Sequence, residues 1–200
     1  MTGLVTKVLR WFSNPPTETN VEEPTVQNPV NKLKEWTGKA SATIIYDSTV
    51  DEFTADGLFT KVKGKKYVAL VGFTTDGDVF GAFYSVAVTE QSECYKDPTL
   101  FVFSFESRGR CTTPHRFALK KGLNEKVYVV FWKFDSNGFV WFGVFDCGVV
   151  MFGNEGSNSR CKDMSDAFEG LKNTTLTGKN FHFPDGPFHH CARLIAIHLE

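Results

Sequence analysis

Two apolar arms folded about a polar pair dominate the hydrophobic pattern. Tyr67 to Val88 runs as a near-continuous apolar arm, an Asp76-Gly77 pair, and a second apolar arm. Apolar β-formers on both sides of an Asp-Gly pair, which tolerates positive φ, predict a hairpin. The first arm, Val68 to Phe73, is almost wholly apolar, so it is expected to be covered on both faces in mid-sheet. The second arm carries Gly81, where glycine within a strand predicts a close approach of a neighbouring backbone.

Elsewhere the pattern is short and mostly period two. Ala42 to Tyr46 predicts a first strand, and Thr54 to Lys63 predicts a helix. That helix has Thr54 as N-cap, Asp56 in its first turn, Lys61 and Lys63 at its end, and Gly64 as its stop. Leu58, Phe59 and Val62 share the face expected to cover the sheet. Phe101, Phe103 and Phe105 alternate along a strand from Leu100 and face one side. Phe117 to Leu119 reads as an edge piece, and Val127 to Phe134 turns at Asp135 to Gly138 into Phe139 to Phe145. Val149 to Phe152 follows in the manner of a meander. From Gly153 the chain is rich in Asn, Ser, Gly and Thr and is expected to be mostly loop until a closing strand at Ala192 to Leu199. At least seven strands with one or two short helices predict a β-rich chain, an antiparallel two-sheet β-sandwich.

The N-terminal part differs. Leu4, Val5, Val8, Leu9, Trp11 and Phe12 form one apolar stripe at helical spacing, with Lys7 and Arg10 between them. Residues 1–12 are expected to form a short helix that docks on a partner or a membrane surface through Leu4, Leu9, Trp11 and Phe12, or packs back on its own domain. Residues 13–31 carry Pro15, Pro16, Pro24 and Pro29 and almost no large apolar side chain, the composition of a disordered tether. The folded domain is then expected over 32–200, with Lys32 to Trp36 as one helical turn.

Composition narrows the class. Charge is nearly balanced, 22 Lys and Arg against 23 Asp and Glu, so no broad electrostatic grip on nucleic acid or anionic membrane is expected. Twenty Phe against three Met favour pleated, half-buried surfaces. Five cysteines without CxxC spacing or a preceding apolar targeting segment predict reduced thiols in the cytoplasm or the nucleus. No run of ~18 apolar residues predicts a membrane span. A monomer is expected.

Three groups of residues carry candidate chemistry. Cys161 beside Arg160 and Cys111 beside Arg110 each have a sequence-adjacent cation that favours a thiolate. With Cys191 they are the candidate reactive or catalytic thiols, against the simpler reading of small buried residues. His189, His190 and Cys191, with Cys161 and His182 nearby, have metal-ligand chemistry. Adjacent histidines in an extended segment point to opposite faces, so the expectation is no metal, one imidazole buried and hydrogen-bonded, and the other in solvent. Arg108, Arg110, Arg116, Lys120 and Lys121, interleaved with Phe117, form a local basic patch that is either a solvated face or a contact for an acidic partner or nucleic acid. The Gly153 to Ser159 stretch lacks the Lys-Ser/Thr ending of a phosphate loop, and no cofactor is expected.

In order along the chain, Trp36, the Ile44-Ile45-Tyr46 strand with the Leu58-Phe59 helix, Gly77 to Phe83, Phe101 to Phe105, Phe139 to Gly143, Gly156 to Cys161, and Ile195 to Glu200 resemble the TLDc domain family of oxidation-resistance proteins. Gly77, Phe80, Gly81, Trp141, Gly143, Cys161 and Glu200 carry the match. The resemblance implies a two-sheet antiparallel sandwich, protection against oxidative stress and, as in several members, binding to the V-type proton-pumping ATPase with altered assembly of its catalytic sector. No agreed active site comes with it. The expected function is a non-enzymatic stress-response module. The alternatives are a thiol-dependent antioxidant enzyme or peroxide sensor and, third, a DNA-associated stress regulator.

Overall fold

The structure is a computed structural model that describes residues 29–133, 140–144, 147–154, 159–181 and 186–200. Ten strands form two antiparallel sheets. The strands are β1 (Ala42–Asp47), β2 (Val68–Thr74), β3 (Val79–Tyr84), β4 (Phe101–Glu106), β5 (His115–Ala118), β6 (Val127–Phe131), β7 (Val140–Val144), β8 (Val149–Phe152), β9 (Arg160–Lys162) and β10 (Cys191–Leu199). The six-stranded sheet runs β1-β10-β2-β3-β4-β5 and the four-stranded sheet β6-β7-β8-β9. Helices α1 (Pro29–Thr37), α2 (Ala55–Val62) and α3 (Met164–Ala167) complete the described elements. None of these helices is long and apolar enough to cross a membrane.

The predicted hairpin is present and central. β2 and β3 pair from Val68 with Tyr84 to Phe73 with Val79, and Gly77 takes φ +95° in the turn. All seven residues of β2 are buried because both faces of the large sheet are covered. Leu70 and Phe80 face inward. There Phe80 meets Phe152, and Tyr84 meets Phe131 and Phe142 of the small sheet, so one aromatic core joins the two layers. Ala69, Val71, Phe73, Phe101, Phe103 and Phe105 form a second cluster on the outer face, where Leu33 and Trp36 of α1 cover it. Trp36 stacks on Phe105 at 5.7 Å and meets Phe101 edge-on at 6.3 Å.

Gly81 explains itself: a Cβ there would lie 1.9 Å from the Leu70 carbonyl oxygen and 2.6 Å from the Phe103 ring. The α2 signals also hold, since the Thr54 hydroxyl accepts from the Gly57 amide at 3.1 Å and Leu58, Phe59 and Val62 are buried.

Several expectations change. Helix α1 begins at Pro29, so residues 29–31, read as the end of the tether, are its first turn, and the single turn at Lys32 to Trp36 is a nine-residue helix. Proline is tolerated at a helix start because that N–H has no intrahelical partner. The stretch from Gly153 contains β9 and α3, three and four residues long, which are too short to leave a periodic signal against their polar surroundings. The closing strand expected at Ala192 to Leu199 is present as β10, and the sheet order places it between β1 and β2. The N-terminal stripe, most of the proline-rich segment, and the turn at Asp135 to Gly138 lie outside the described residues.

Candidate functional site

Charged and titratable side chains collect at the end of the sandwich where the β2–β3 turn lies. Thr74 shapes that turn: its backbone N–H donates to the Asp78 carbonyl at 2.9 Å and its hydroxyl accepts from the Asp78 amide at 2.9 Å. This fixes Asp78 with its carboxylate 1% exposed. Arg110, from the turn after β4, donates through Nη2 to Asp78 Oδ1 at 2.5 Å. The same guanidinium donates to the Thr175 and Leu176 carbonyls at 3.0 and 3.1 Å. Burial raises the Asp78 carboxyl above its ordinary value, and Arg110 opposes the rise without cancelling it. Beside this pair Lys179 Nζ meets Asp76 Oδ2 at 2.9 Å, which holds the Asp76 carboxyl below its usual range.

The segment before β10 packs against the same end. His189 is 1% exposed and its ring lies edge-on to Phe80 at 5.3 Å and to Phe152 at 6.4 Å. His190 is exposed, as opposite strand faces require. Among the described residues the expected hydrogen bond on the buried imidazole is not made, for neither Nδ1 nor Nε2 has a partner there. The apolar rings that bury it supply no acceptor or donor. Among the described residues no three His, Cys, Asp or Glu side chains gather as a metal site, and His182 lies outside those residues.

The thiol candidates separate. Cys161 is 2% exposed in the main core, and burial pushes its thiol far up; a bond with Thr177 only partly opposes this. Arg160 does not activate it. On a strand adjacent side chains point oppositely, and Arg160 lies over the Trp141 and Phe181 rings, 5.9 and 4.5 Å away. Cys191 is buried, its thiol is pushed up to about 12, and its Sγ lies 3.2 Å from the Arg193 carbonyl oxygen. Cys111 is half-buried, its amide donating to Ser107 Oγ, and the cation next to it in sequence is committed to Asp78.

The basic patch also divides. Arg108 is exposed in a turn at φ +53°, whereas Arg110 is held as above. Arg116 stacks on Phe101 at 4.6 Å and donates to the Trp36 carbonyl at 2.7 Å on the outer face. Lys120 and Lys121 follow the far end of β5. A strand of four residues, ~13 Å long, separates the two ends, so these five cations are spread along the length of β5.

Of the matching residues, Phe80 and Cys161 lie in the main core, Trp141 faces Trp132 and Arg160, Gly77 takes the positive-φ turn position, and Gly81 and Gly143 sit at close backbone approaches. A Cβ on Gly143 would lie 2.2 Å from the Gly148 carbonyl oxygen, and Glu200 exchanges backbone hydrogen bonds with Ser41 at 2.8 and 3.1 Å. Two ion pairs, each with one buried partner, escape sequence reasoning: Asp78 with Arg110, and Asp47 with Arg193, which are 32 and 146 residues apart. No local spacing signals such partners.

The fold and this end of it define a two-sheet antiparallel sandwich domain in which buried Asp78 and Arg193 are each paired with an opposite charge. The TLDc domain family model matches residues 21–184 of the 200, and the chain belongs to that family. No curated protein matches the chain.

Proposed function

We propose that this chain is a non-enzymatic stress-response module that acts by binding a large cytoplasmic assembly, with the V-type ATPase as the partner. Membership of the TLDc family supports the oxidative-stress setting. The observation that carries the binding reading over the catalytic one is the placement of Cys161. It is buried, turned away from Arg160, and holds its proton tightly, so it is a poor nucleophile. Arg110, the cation nearest Cys111 in sequence, is likewise committed to Asp78 and two carbonyls.

The test is sedimentation of isolated V-type ATPase with the purified full-length protein, read together with ATP hydrolysis. Co-sedimentation, or release of the catalytic sector, at micromolar protein is the expected outcome. Neither effect at that concentration overturns the choice of partner. Turnover of peroxide by the protein alone with a thiol reductant would overturn the non-enzymatic reading.

A further inference from the structure

At residues 189–191 the chain passes from the small sheet to the large one. His189 bridges to Ser159, just before β9, its amide donating to the Ser159 carbonyl at 3.0 Å. One residue later the His190 carbonyl accepts from the Thr75 amide at 3.0 Å, and Cys191 pairs with Thr74 at the tip of the central hairpin. Three consecutive residues thus stitch one end of the sandwich. In this seam lies the His189 imidazole, edge-on to the stacked Phe80 and Phe152 rings, with both nitrogens buried and unpartnered among the described residues. A neutral imidazole has one donor and one acceptor, and leaving both unmade costs stability that an apolar side chain would not lose.

We propose that His189 is an acid-sensitive latch: when it takes up a proton the seam between the hairpin tip and the β9 edge opens locally, while the rest of the sandwich stays folded. The physical cause is that a buried imidazolium with no acceptor or counter-charge carries a desolvation cost that contact with two phenyl rings only partly offsets, whereas in the open seam water solvates it. Among the described residues the groups around it do not supply such an acceptor or counter-charge. Asp76 on the β2–β3 turn favours the proton, but it is paired with Lys179, and Lys179 and His190 both oppose it. Asp78, two residues before Phe80, is paired with Arg110. Strand β8 contributes Phe152 after Val149, Val150 and Met151, and on the β9 side Arg160 is held over Trp141 and Phe181.

Burial pulls the closed-state pKa of His189 down to about 3 from 6.5. The open seam exposes the ring, which then titrates near its ordinary value. Protons therefore bind the open form preferentially below pH 6.5, and the open-to-closed ratio rises about tenfold for each pH unit lost between 6.5 and 3. At pH 5 it is about thirtyfold above its neutral value.

Cys191 reports the opening, since it is 1% exposed and lies in the seam. Its rate of modification by a thiol reagent is measured by mass spectrometry on the full-length protein from pH 7.5 to 5. Each rate is divided by that of a cysteine peptide at the same pH, which removes thiolate ionisation, and the exposed Cys94 is the internal control. The expected result is protection of Cys191 that falls about thirtyfold by pH 5 and depends only weakly on urea. His189→Phe should abolish the pH dependence, and the exposed neighbour variant His190→Gln should keep it. If His189→Phe fails to fold, His189→Leu serves the same purpose. Flat wild-type protection across this range overturns the proposal, as does an unchanged slope in the apolar variant. A urea dependence as steep as that of global unfolding also overturns it.

Discussion

Successive residues of a strand point to opposite faces, and at Arg160 and Cys161 this rule separates the cation from the thiol it was expected to activate. Burial then acts on the thiol alone. A thiolate at Cys161 or Cys191 would sit in the core, so both protons are held tightly, whereas Cys94 is exposed and Cys111 half-buried. Mild peroxide should therefore oxidise Cys94 and Cys111 well before Cys161 and Cys191. Peptide mass spectrometry of a time course reads the order, and early oxidation at Cys161 would contradict this account. The side-chain types were legible in the sequence, but the direction in which each pointed depended on which face of β9 the core would cover. With three residues in that strand, no periodicity existed from which to read it.

Helix α1 shows how an element with little intrinsic stability is held. Nine residues are too few to stay helical alone, so its order comes from docking on the outer face of the large sheet. Leu33 is fully buried there, and Trp36 touches Phe101, Phe103 and Phe105, with Arg116 donating to its carbonyl. Trp36→Ala removes those ring contacts and is expected to lower stability by roughly 3 kcal/mol, the lower end for aromatic truncation because the residue is only partly buried. Urea unfolding checks this: the midpoint should fall with the slope unchanged. The alternation of the three phenylalanines predicted a buried stripe. Its cover came from a segment ~65 residues earlier, which no local pattern could assign.

At the scale of the molecule two long-range ion pairs contribute to the acid response near pH 3.8, whereas His189 acts from pH 6.5 downward. Arg193, 8% exposed on β10, donates through Nε to Asp47 Oδ1 at 2.9 Å and through Nη2 to Oδ2. Burial pushes the Asp47 carboxyl up, and its bonds with Arg193 and Thr49 more than offset this, so it lies below its ordinary 3.8. A depressed carboxyl stabilises above its unfolded value and loses that contribution as pH falls below 3.8. Asp78 has the opposite sign: its raised carboxyl binds a proton more tightly when folded, so it favours the folded state as pH falls toward 3.8. Arg193→Met leaves Asp47 without its cation and is expected to cost about 2 kcal/mol at neutral pH, below the range for fully buried pairs because Asp47 keeps some solvent. The loss should begin to shrink as pH falls below 3.8, where the unfolded chain takes up a proton on Asp47 that the depressed carboxyl of the folded wild type still resists; urea midpoints at pH 7 and pH 3 provide the check.

The sequence by itself determined the local elements and the class. Asp76-Gly77 set the central turn, the apolar run of β2 announced a strand buried on both faces, Thr54 started α2, and Gly81 marked a close approach that the Leu70 carbonyl and Phe103 ring explain. These are signals of neighbours in the chain, where turn geometry, capping and period two act over a few residues. Only the tertiary structure decided that β10 lies between β1 and β2, that Arg110 and Arg193 neutralise Asp78 and Asp47, and that His189 enters the seam without a partner. Each depends on contacts between residues far apart in sequence. Burial, which shifts the titration of Asp78 and His189 at this end of the molecule, exists only once the two sheets have closed on each other.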